Sequence, residues 1–438
     1  MKDKQQPALL GRYTKGCRGS KGIVLIARDN IRKQKGNAGI LLLLIALAVL
    51  LLYVGISVLS NMDRVIDRRN AAVHGADYFL FTTSSYTDKI EDILANRPEV
   101  IYQEKEKAIY IPGVKYFPEG RAEEDADEID FFFLDKDAGR KLSTVKIIDE
   151  GKEWKENSII LPYYMKAGLG YEAGRNIKIA YKGQIYSFVI YGFTEDVMFS
   201  TPTNVSAIKC FISTECYQRL SGQWQSEGMI YRAALKRGSD TESFLMDMGQ
   251  VYKKQIKDYA VTTHWDMDYD ELKFGTSITA NILMAVLTVF AAMLILISLI
   301  IVHFNINNAI EMNTKNIGIL EASGYTSRQL TAAAVLEFLI ISAFGICVGM
   351  LGAKGAADTI GGILSASIGL RWVLGFDLVS AAESIAVIEF MVLSAVFISA
   401  RKYGSITPLN ALRSGIHSHN FRKTISALTG QGCRLILP

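Results

Sequence analysis

The sequence predicts a polytopic α-helical membrane protein: four transmembrane helices, with a large mixed α/β extracytoplasmic domain between helices 1 and 2. Three observations predict it. Of the 438 residues, 50% are hydrophobic, and the long apolar runs among them are confined to the first seventh and last two fifths of the chain. The segment between the first and second runs is acidic and mixes strand-like with helix-like patterning. Lys and Arg gather at the two ends of the chain, next to apolar runs.

Each span follows from length. About 20 apolar residues cross roughly 30 Å of hydrocarbon at about 1.5 Å per residue. Ala38 to Ser60 and Ile278 to Val302 carry no charge, Ala332 to Ala353 carries only Glu337, and Leu378 to Ala400 carries Glu383 and Glu389. A cleaved signal peptide fits the first run poorly, because a signal's apolar region is about 7–15 residues long behind a short basic start. Here 23 apolar residues follow a basic segment of 36.

Orientation follows from the positive-inside rule. Residues 1–36 hold ten Lys or Arg against Asp3 and Asp29, and residues 401–438 hold six with no acid. Residues 61–273 hold 28 basic and 35 acidic side chains. Both termini are therefore expected in the cytoplasm. The resulting division is residues 1–36, a basic cytoplasmic segment; 37–62, helix 1; 63–273, the extracytoplasmic domain; 274–303, helix 2; 304–330, a cytoplasmic elbow; 331–353, helix 3; 354–377, an external loop; 378–400, helix 4; and 401–438, a basic cytoplasmic tail. The basic ends suit an anionic leaflet. Nucleic acid is disfavoured as a partner, since these tails abut spans and lack interleaved aromatics.

Within 63–273, Asp88 to Asn96 reads as a short helix. Val100 to Ile111 and Val145 to Asp149 read as strands, then Ile159 to Leu161 as a strand and Tyr163 to Ala167 as a helix. Ile177 to Tyr181 and Tyr186 to Tyr191 read as a hairpin around Lys182-Gly183. The acidic run Arg121 to Asp130 lacks the glycine and terminal glutamate of an EF-hand and reads as a solvated loop. Cys210 and Cys216 are the only cysteines on the outside in this topology. Either they form a small disulfide loop or they are two buried thiols.

No catalytic set emerges. G-x-x-x-x-G-K-[ST], G-x-S-x-G and H-E-x-x-H are all absent from the sequence. His74 and His264 are the only external histidines and read as ordinary surface residues rather than a metal pair. No metal and no cofactor is expected on this chain.

Charged residues inside spans are costly unless they face protein or water. Glu389 falls near the midplane, ten residues from Ser399, while Glu337 lies nearer the inner side and Glu383 snorkels outward. Gly345 and Gly349 form a G-x-x-x-G followed by Gly352, a spacing that lets two membrane helices approach closely, within one chain or across a dimer.

The stretch KNIGILEASGYTSRQL, Lys315 to Leu330, joins the second and third runs. Residues 309–324 continue the second span as a helix, with Glu311 and Lys315 spaced i,i+4 and Ile310, Ile317 and Leu320 near one face. Gly324 suits the helix end, and Thr326 with Gln329 suits a capping box on the next helix. An ordered elbow of about twenty residues, where a few would join the spans, suggests a docking surface.

NIGILEASGYT resembles the string that follows the second span in FtsX-like permeases, the ABC-transporter subunits that include MacB-type exporters. RDNIRKQKGNAGILLLLIALAV, HGADYFLF, DKIEDILANRPEV, the Ser158–Asp196 series and SITPLNALRSG resemble other family segments in the same order, from about residue 22 to 415. The chain departs from the pattern at Asn316, where an acid is common, at Glu321, where a base is usual, and at Ser399-Ala400, which replaces a proline-alanine pair.

The resemblance implies a permease subunit, not an enzyme, that dimerises with itself or a related chain. It implies a cytoplasmic ABC ATPase partner that carries the ATP and Mg. The ATPase-coupling residues would be Lys315, Asn316, Ile317, Gly318, Leu320, Glu321, Gly324 and Arg328. The output would be export of a peptide, lipoprotein, lipid or drug, or activation of an extracellular protein partner. The rival expectation is a non-transporting membrane receptor with an external ligand-binding domain.

Overall fold

The computed structural model describes residues 20–199, 201–202, 206–373 and 375–405. Most of the basic N-terminal segment, Cys17, Cys433, the tail beyond Ser405 and nearly all of SITPLNALRSG lie outside the described residues. The chain divides into two compact units: residues 54–288 with 353–380, and residues 1–53, 289–352 and 381–438.

The first of these units is built on one ten-stranded sheet, in the order β10-β1-β9-β2-β3-β8-β5-β7-β4. The strands are β1 (Tyr78–Thr82), β2 (Val100–Pro118), β3 (Asp127–Asp135), β4 (Ile147–Ile148), β5 (Ser158–Pro162), β6 (Asn176–Tyr181), β7 (Gln184–Thr194), β8 (Ala207–Ile212), β9 (Glu227–Leu235) and β10 (Thr263–Asp268). The tenth strand, β6, lies off this path and is the informative one. β6 pairs with both β7 and the C-terminal half of β2, which also pairs with β3. The ring β2-β3-β8-β5-β7-β6 therefore closes into a small barrel, which removes its free edges.

β2 serves both halves of the unit because it bends. Its register shifts between Ile111 and Val114, around Gly113 at φ +58°, a bulge that only glycine enters cheaply. Before the bulge β2 pairs with β9 from Val100 to Ile109; after it, Lys115 to Pro118 pair with β6. Phe131, Phe132 and Phe133 on β3 alternate between two cores. Phe131 and Phe133 point into the barrel with Ile109, Ile177 and Ile190, whereas Phe132 joins Phe81, Phe199 and Phe211 on the other face. A strand buried on both faces reads as a continuous apolar run rather than an alternating one.

The hairpin at Lys182-Gly183 forms with both residues at positive φ, +48° and +74°, the geometry of a two-residue turn matched to strand twist. The helices are α3 (Thr87–Ala95), α4 (Tyr163–Ala167), α5 (Thr214–Trp224), α6 (Thr241–Gln255) and α7 (Tyr259–Thr262). Ile90, Leu94, Phe244, Met248 and Tyr252 from α3 and α6 form a third core with Tyr78, Leu80 and Tyr231.

Three sequence expectations change here. Asp127 to Asp130, assigned to a solvated loop, begins β3; only Glu123–Asp125 is an exposed turn. The strand over Val145 to Asp149 shrinks to Ile147–Ile148. The segment 354–377 is not a plain loop, for it contains helix α10 (Ala357–Ile368), whose Gly361, Leu364, Ser365 and Ile368 are buried.

Among the described residues four helices are long and apolar enough to cross a membrane: α2 (Lys35–Ala72), α8 (Tyr269–Ala322), α9 (Ser327–Gly355) and α11 (Leu378–Ala400). α1 (Ser20–Lys33) precedes them. α2 continues through the polar NMDRVIDRRN past Ser60, and α8 starts at the polar YDELKFG before Ile278. These polar turns hold each other: Lys273 lies 2.9 Å from Asp67, and the Tyr269 hydroxyl donates to Asp67 at 2.8 Å. Closer to the apolar run, a Cβ on Gly55 would sit 2.4 Å from Thr288 Oγ1, so the two helices touch there.

Candidate coupling site

α8 is a single helix of 54 residues, about 80 Å at 1.5 Å per residue. It starts directly after β10 and ends at Ala322. Its end is built from three features. Tyr325 N–H donates to Leu320 O at 3.1 Å, Gly324 N–H donates to Glu321 O at 2.9 Å, and Gly324 sits at φ +95°. Paired bonds of this kind, closed by a left-handed glycine, satisfy the last carbonyls of a helix. The next helix starts immediately. Gln329 N–H donates to Thr326 Oγ1 at 3.3 Å and Thr326 N–H donates to Gln329 Oε1 at 3.0 Å, a reciprocal capping box. The Ser327 hydroxyl reaches back to Glu321 Oε1 at 2.9 Å, and Glu321 Oε2 is buried with no hydrogen-bond partner among the described residues.

The elbow has an inner and an outer face. Ile310, Ile317, Tyr325 and Leu330 are buried. Asn316, Gly324, Thr326 and Arg328 are exposed. Ile317 and Gly318, expected from sequence among the contact residues, are buried. Leu320 and Glu321 are half-buried. The Lys315 side chain lies outside the described residues, which leaves the Glu311–Lys315 pair without a test.

The glycine stripe of α9 lies on α2. A Cβ at Gly345 would sit 2.9 Å from Ile45 Cγ2 and 3.0 Å from Leu42 O; at Gly349 it would sit 2.4 Å from Ala46 O; at Gly352 it would meet Leu50 at 3.2 Å. The close approach is thus made within one chain. Polar ties that the sequence reading missed join the same bundle. Asn37 donates to Asn305 at 3.2 Å, and Lys402 donates to Asn307 at 2.9 Å. The Ser399-Ala400 pair is bonded on both residues: Ser399 Oγ lies 2.9 Å from His303 Nδ1, and Ala400 O accepts from Thr331 at 3.3 Å. Of the intramembrane acids, Glu337 is buried and accepts from Asn30 of α1 at 3.0 Å. Glu389 is half-buried, one of its oxygens lacking a hydrogen-bond partner among the described residues, and Glu383 is exposed.

In the sheet-bearing unit a second constellation ties α2 to the segment after α10. Glu195, 3% exposed, spends one oxygen on Arg69 at 3.1 Å and the other on the Arg371 backbone N–H at 2.7 Å. Arg69 closes the clasp by donating to Arg371 O at 3.0 Å. The Arg371 side chain reaches Asp149 at 3.8 Å, and Lys166 reaches the same carboxylate at 2.5 Å. Below it, Asn61 donates to Asp377 at 3.1 Å. α10 packs on α4 beside this clasp.

Cys210 and Cys216 are free thiols, both in the barrel core. Of the two alternatives left open by the sequence, the structure shows the pair of buried thiols. Cys210 points inward from β8, and Cys216 lies in the first turn of α5, its N–H capped by Ser213 at 3.2 Å. Burial pushes both thiols above their ordinary pKa, which suits inert core residues. His264 lies against the rings of Phe81 and Tyr110, and burial lowers its pKa. Among the described residues no group of three or more His, Cys, Asp or Glu side chains is placed to hold a metal ion.

Residues 288–408 match the family described as FtsX-like permease C-terminal. This segment belongs to the FtsX-like permease family. It comprises most of α8 with the elbow, α9, α10 and α11, the elements that carry the glycine stripe and the polar ties. The match supports a permease-type membrane role of the ABC class. No curated protein matches it. Among solved structures, a domain assigned to a permease protein from Porphyromonas gingivalis is similar at 12% identity, over 45% of this chain and 95% of that one, with a TM-score of 0.25. The periplasmic region of MacB from Actinobacillus actinomycetemcomitans is similar at 12% identity, over 47% and 94%, with a TM-score of 0.24. At such scores the architecture of the domain rests on its own strand pairing.

Proposed function

We propose that this chain is the membrane subunit of an ABC transporter, and that a separate ATPase docks on the elbow between α8 and α9. Both termini and the elbow face the cytoplasm in this reading, and the sheet-bearing unit faces outside. ATP and Mg are held by the partner, and this chain contributes no catalytic group. Two copies of this chain, or this chain and a related one, accompany two ATPases. The motion moves a peptide, lipoprotein, lipid or drug outward, or acts on an extracellular protein partner.

One observation carries the proposal: a single uninterrupted helix joins the capped elbow to β10. A helix is stiff along its axis because every turn is hydrogen-bonded to the next. In this reading a displacement of the elbow is passed along α8 toward β10, which pairs with β1. The exposed Asn316 and Arg328 are the groups that a docking surface would meet first.

Affinity purification of the full chain from its native membranes tests this. An ATPase of the ABC class should co-purify with the wild type and be lost or depleted on Gly324→Val and on Arg328→Glu, both variants remaining in the membrane fraction. Capture of no ATPase would overturn the proposal and favour a ligand-sensing receptor; equal capture by all three chains would overturn docking at the elbow.

A further inference from the structure

We infer that α1 is a lipid-reading arm: its outer stripe takes anionic phospholipid headgroups, and Asn30 passes its position to Glu337 on α9. The inference does not rest on the ATPase proposal. α1 has two faces. Ile26 and Ala27 are buried, and Asn30, on the same face one turn on, makes the 3.0 Å bond to Glu337. The opposite stripe exposes Val24, Arg28 and Arg32, with Val24 53% exposed, and the exposed Lys33 at the end of α1 and Lys35 at the start of α2 add charge beside it. The only acid of α1 is Asp29, half-buried and already engaged in a contact.

An exposed apolar side chain beside exposed cations is the pattern of a helix lying at a headgroup boundary. The cations find phosphate there and the valine finds the start of the acyl region. The helix also leads directly into the apolar run of α2, which places its last turn at bilayer level. Aqueous protein surface would satisfy the arginines but would leave Val24 in water. Charge and exposure together favour anionic lipid over an acidic protein partner.

The link to Glu337 gives the contact a consequence. Asn30 is the one hydrogen-bond partner of Glu337 among the described residues, and α9 begins at the elbow. Drawing α1 toward an anionic surface therefore bears on the first half of α9 through one side-chain bond.

The test uses the full chain in nanodiscs made either of phosphatidylcholine alone or of phosphatidylcholine and phosphatidylglycerol in equal parts. Hydrogen–deuterium exchange is followed over residues 20–35 and over 331–341. With phosphatidylglycerol, exchange of 20–35 should slow on the order of tenfold, since each basic side chain gains from an anionic surface. The slowing should vanish in high salt and in the Arg28→Gln/Arg32→Gln/Lys33→Gln/Lys35→Gln variant, whose changes are all at exposed positions. Asn30→Ala should keep the lipid response of 20–35 while abolishing any response of 331–341. Equal exchange in the two lipids, an undiminished response in the quadruple variant, or protection that appears only when an ATPase is added would each overturn the inference.

Discussion

Gly349 packs so tightly that the first carbon of any side chain there would fall 2.4 Å from a backbone oxygen of α2. Gly349→Ala must push two helices apart, and overpacking of this kind costs about 1–3 kcal/mol. Gly362, in α10, is its control: a Cβ there meets nothing within 4 Å. Gly362→Ala should be neutral or stabilising by up to about 1 kcal/mol through helix propensity. Thermal unfolding in detergent separates the two, with the midpoint falling for the first and holding or rising for the second. A second residue-scale prediction concerns the buried charges of the sheet. Arg232, 1% exposed, lies 2.7 Å from Glu106, which Arg140 also bonds. Burial pushes the Glu106 carboxyl up, but Arg232 and then Arg140 outweigh it and hold it below its ordinary 4.5. A carboxyl held low adds stability above the ordinary range and loses it as pH falls through its folded value. Glu106→Gln should thus cost about 3–5 kcal/mol near neutrality, since two buried guanidinium groups lose the carboxylate charge they share. It should also flatten the loss of stability below about pH 4.5. All four tryptophans, at 154, 224, 265 and 372, belong to the sheet-bearing unit, so their fluorescence reports this unfolding.

The elbow is the element whose local structure the sequence made most legible. Gly324, Thr326 and Gln329 carry their signal in their own side chains: one must accept positive φ, two must exchange hydrogen bonds with backbone. Such caps depend on residues within six positions of each other. The Thr326→Ala/Gln329→Ala double variant should remove the capping box at about 1–2 kcal/mol and speed amide exchange in the first turn of α9, with exchange across the glycine stripe unchanged. The hairpin at Lys182-Gly183 was legible for the same local reason. α10 was missed although its buried set, Gly361, Leu364, Ser365 and Ile368, has helical spacing; its twelve residues stand between two membrane runs, where an apolar loop is the easier reading. β8, β9 and β10 were missed because their pairing is non-local: β3 takes β8 from more than seventy residues on, and β1 takes β9 and β10 from far along the chain. The Glu195 clasp was illegible for that reason too, since it assembles residues from four separated segments. Glu195→Gln should free the Arg371 segment from Arg69, visible as faster exchange over residues 369–373 while the barrel core keeps its protection.

At the scale of the whole chain, the membrane spans and the family were readable because hydropathy and a short ordered set of strings need no long-range contacts. The barrel was not, because closure depends on β2 pairing two ways about Gly113. The account's central claim is that α8 carries the state of a docked ATPase from the elbow to β10. Its most direct test is amide exchange over residues 263–277 in the full chain, purified with its ATPase, compared with and without a non-hydrolysable ATP analogue. The account predicts an ATP-dependent change there in the wild type that disappears in Gly324→Val, while the barrel strands exchange alike in both. An ATP-dependent change of equal size in Gly324→Val, or none in the wild type with the ATPase bound, would contradict it.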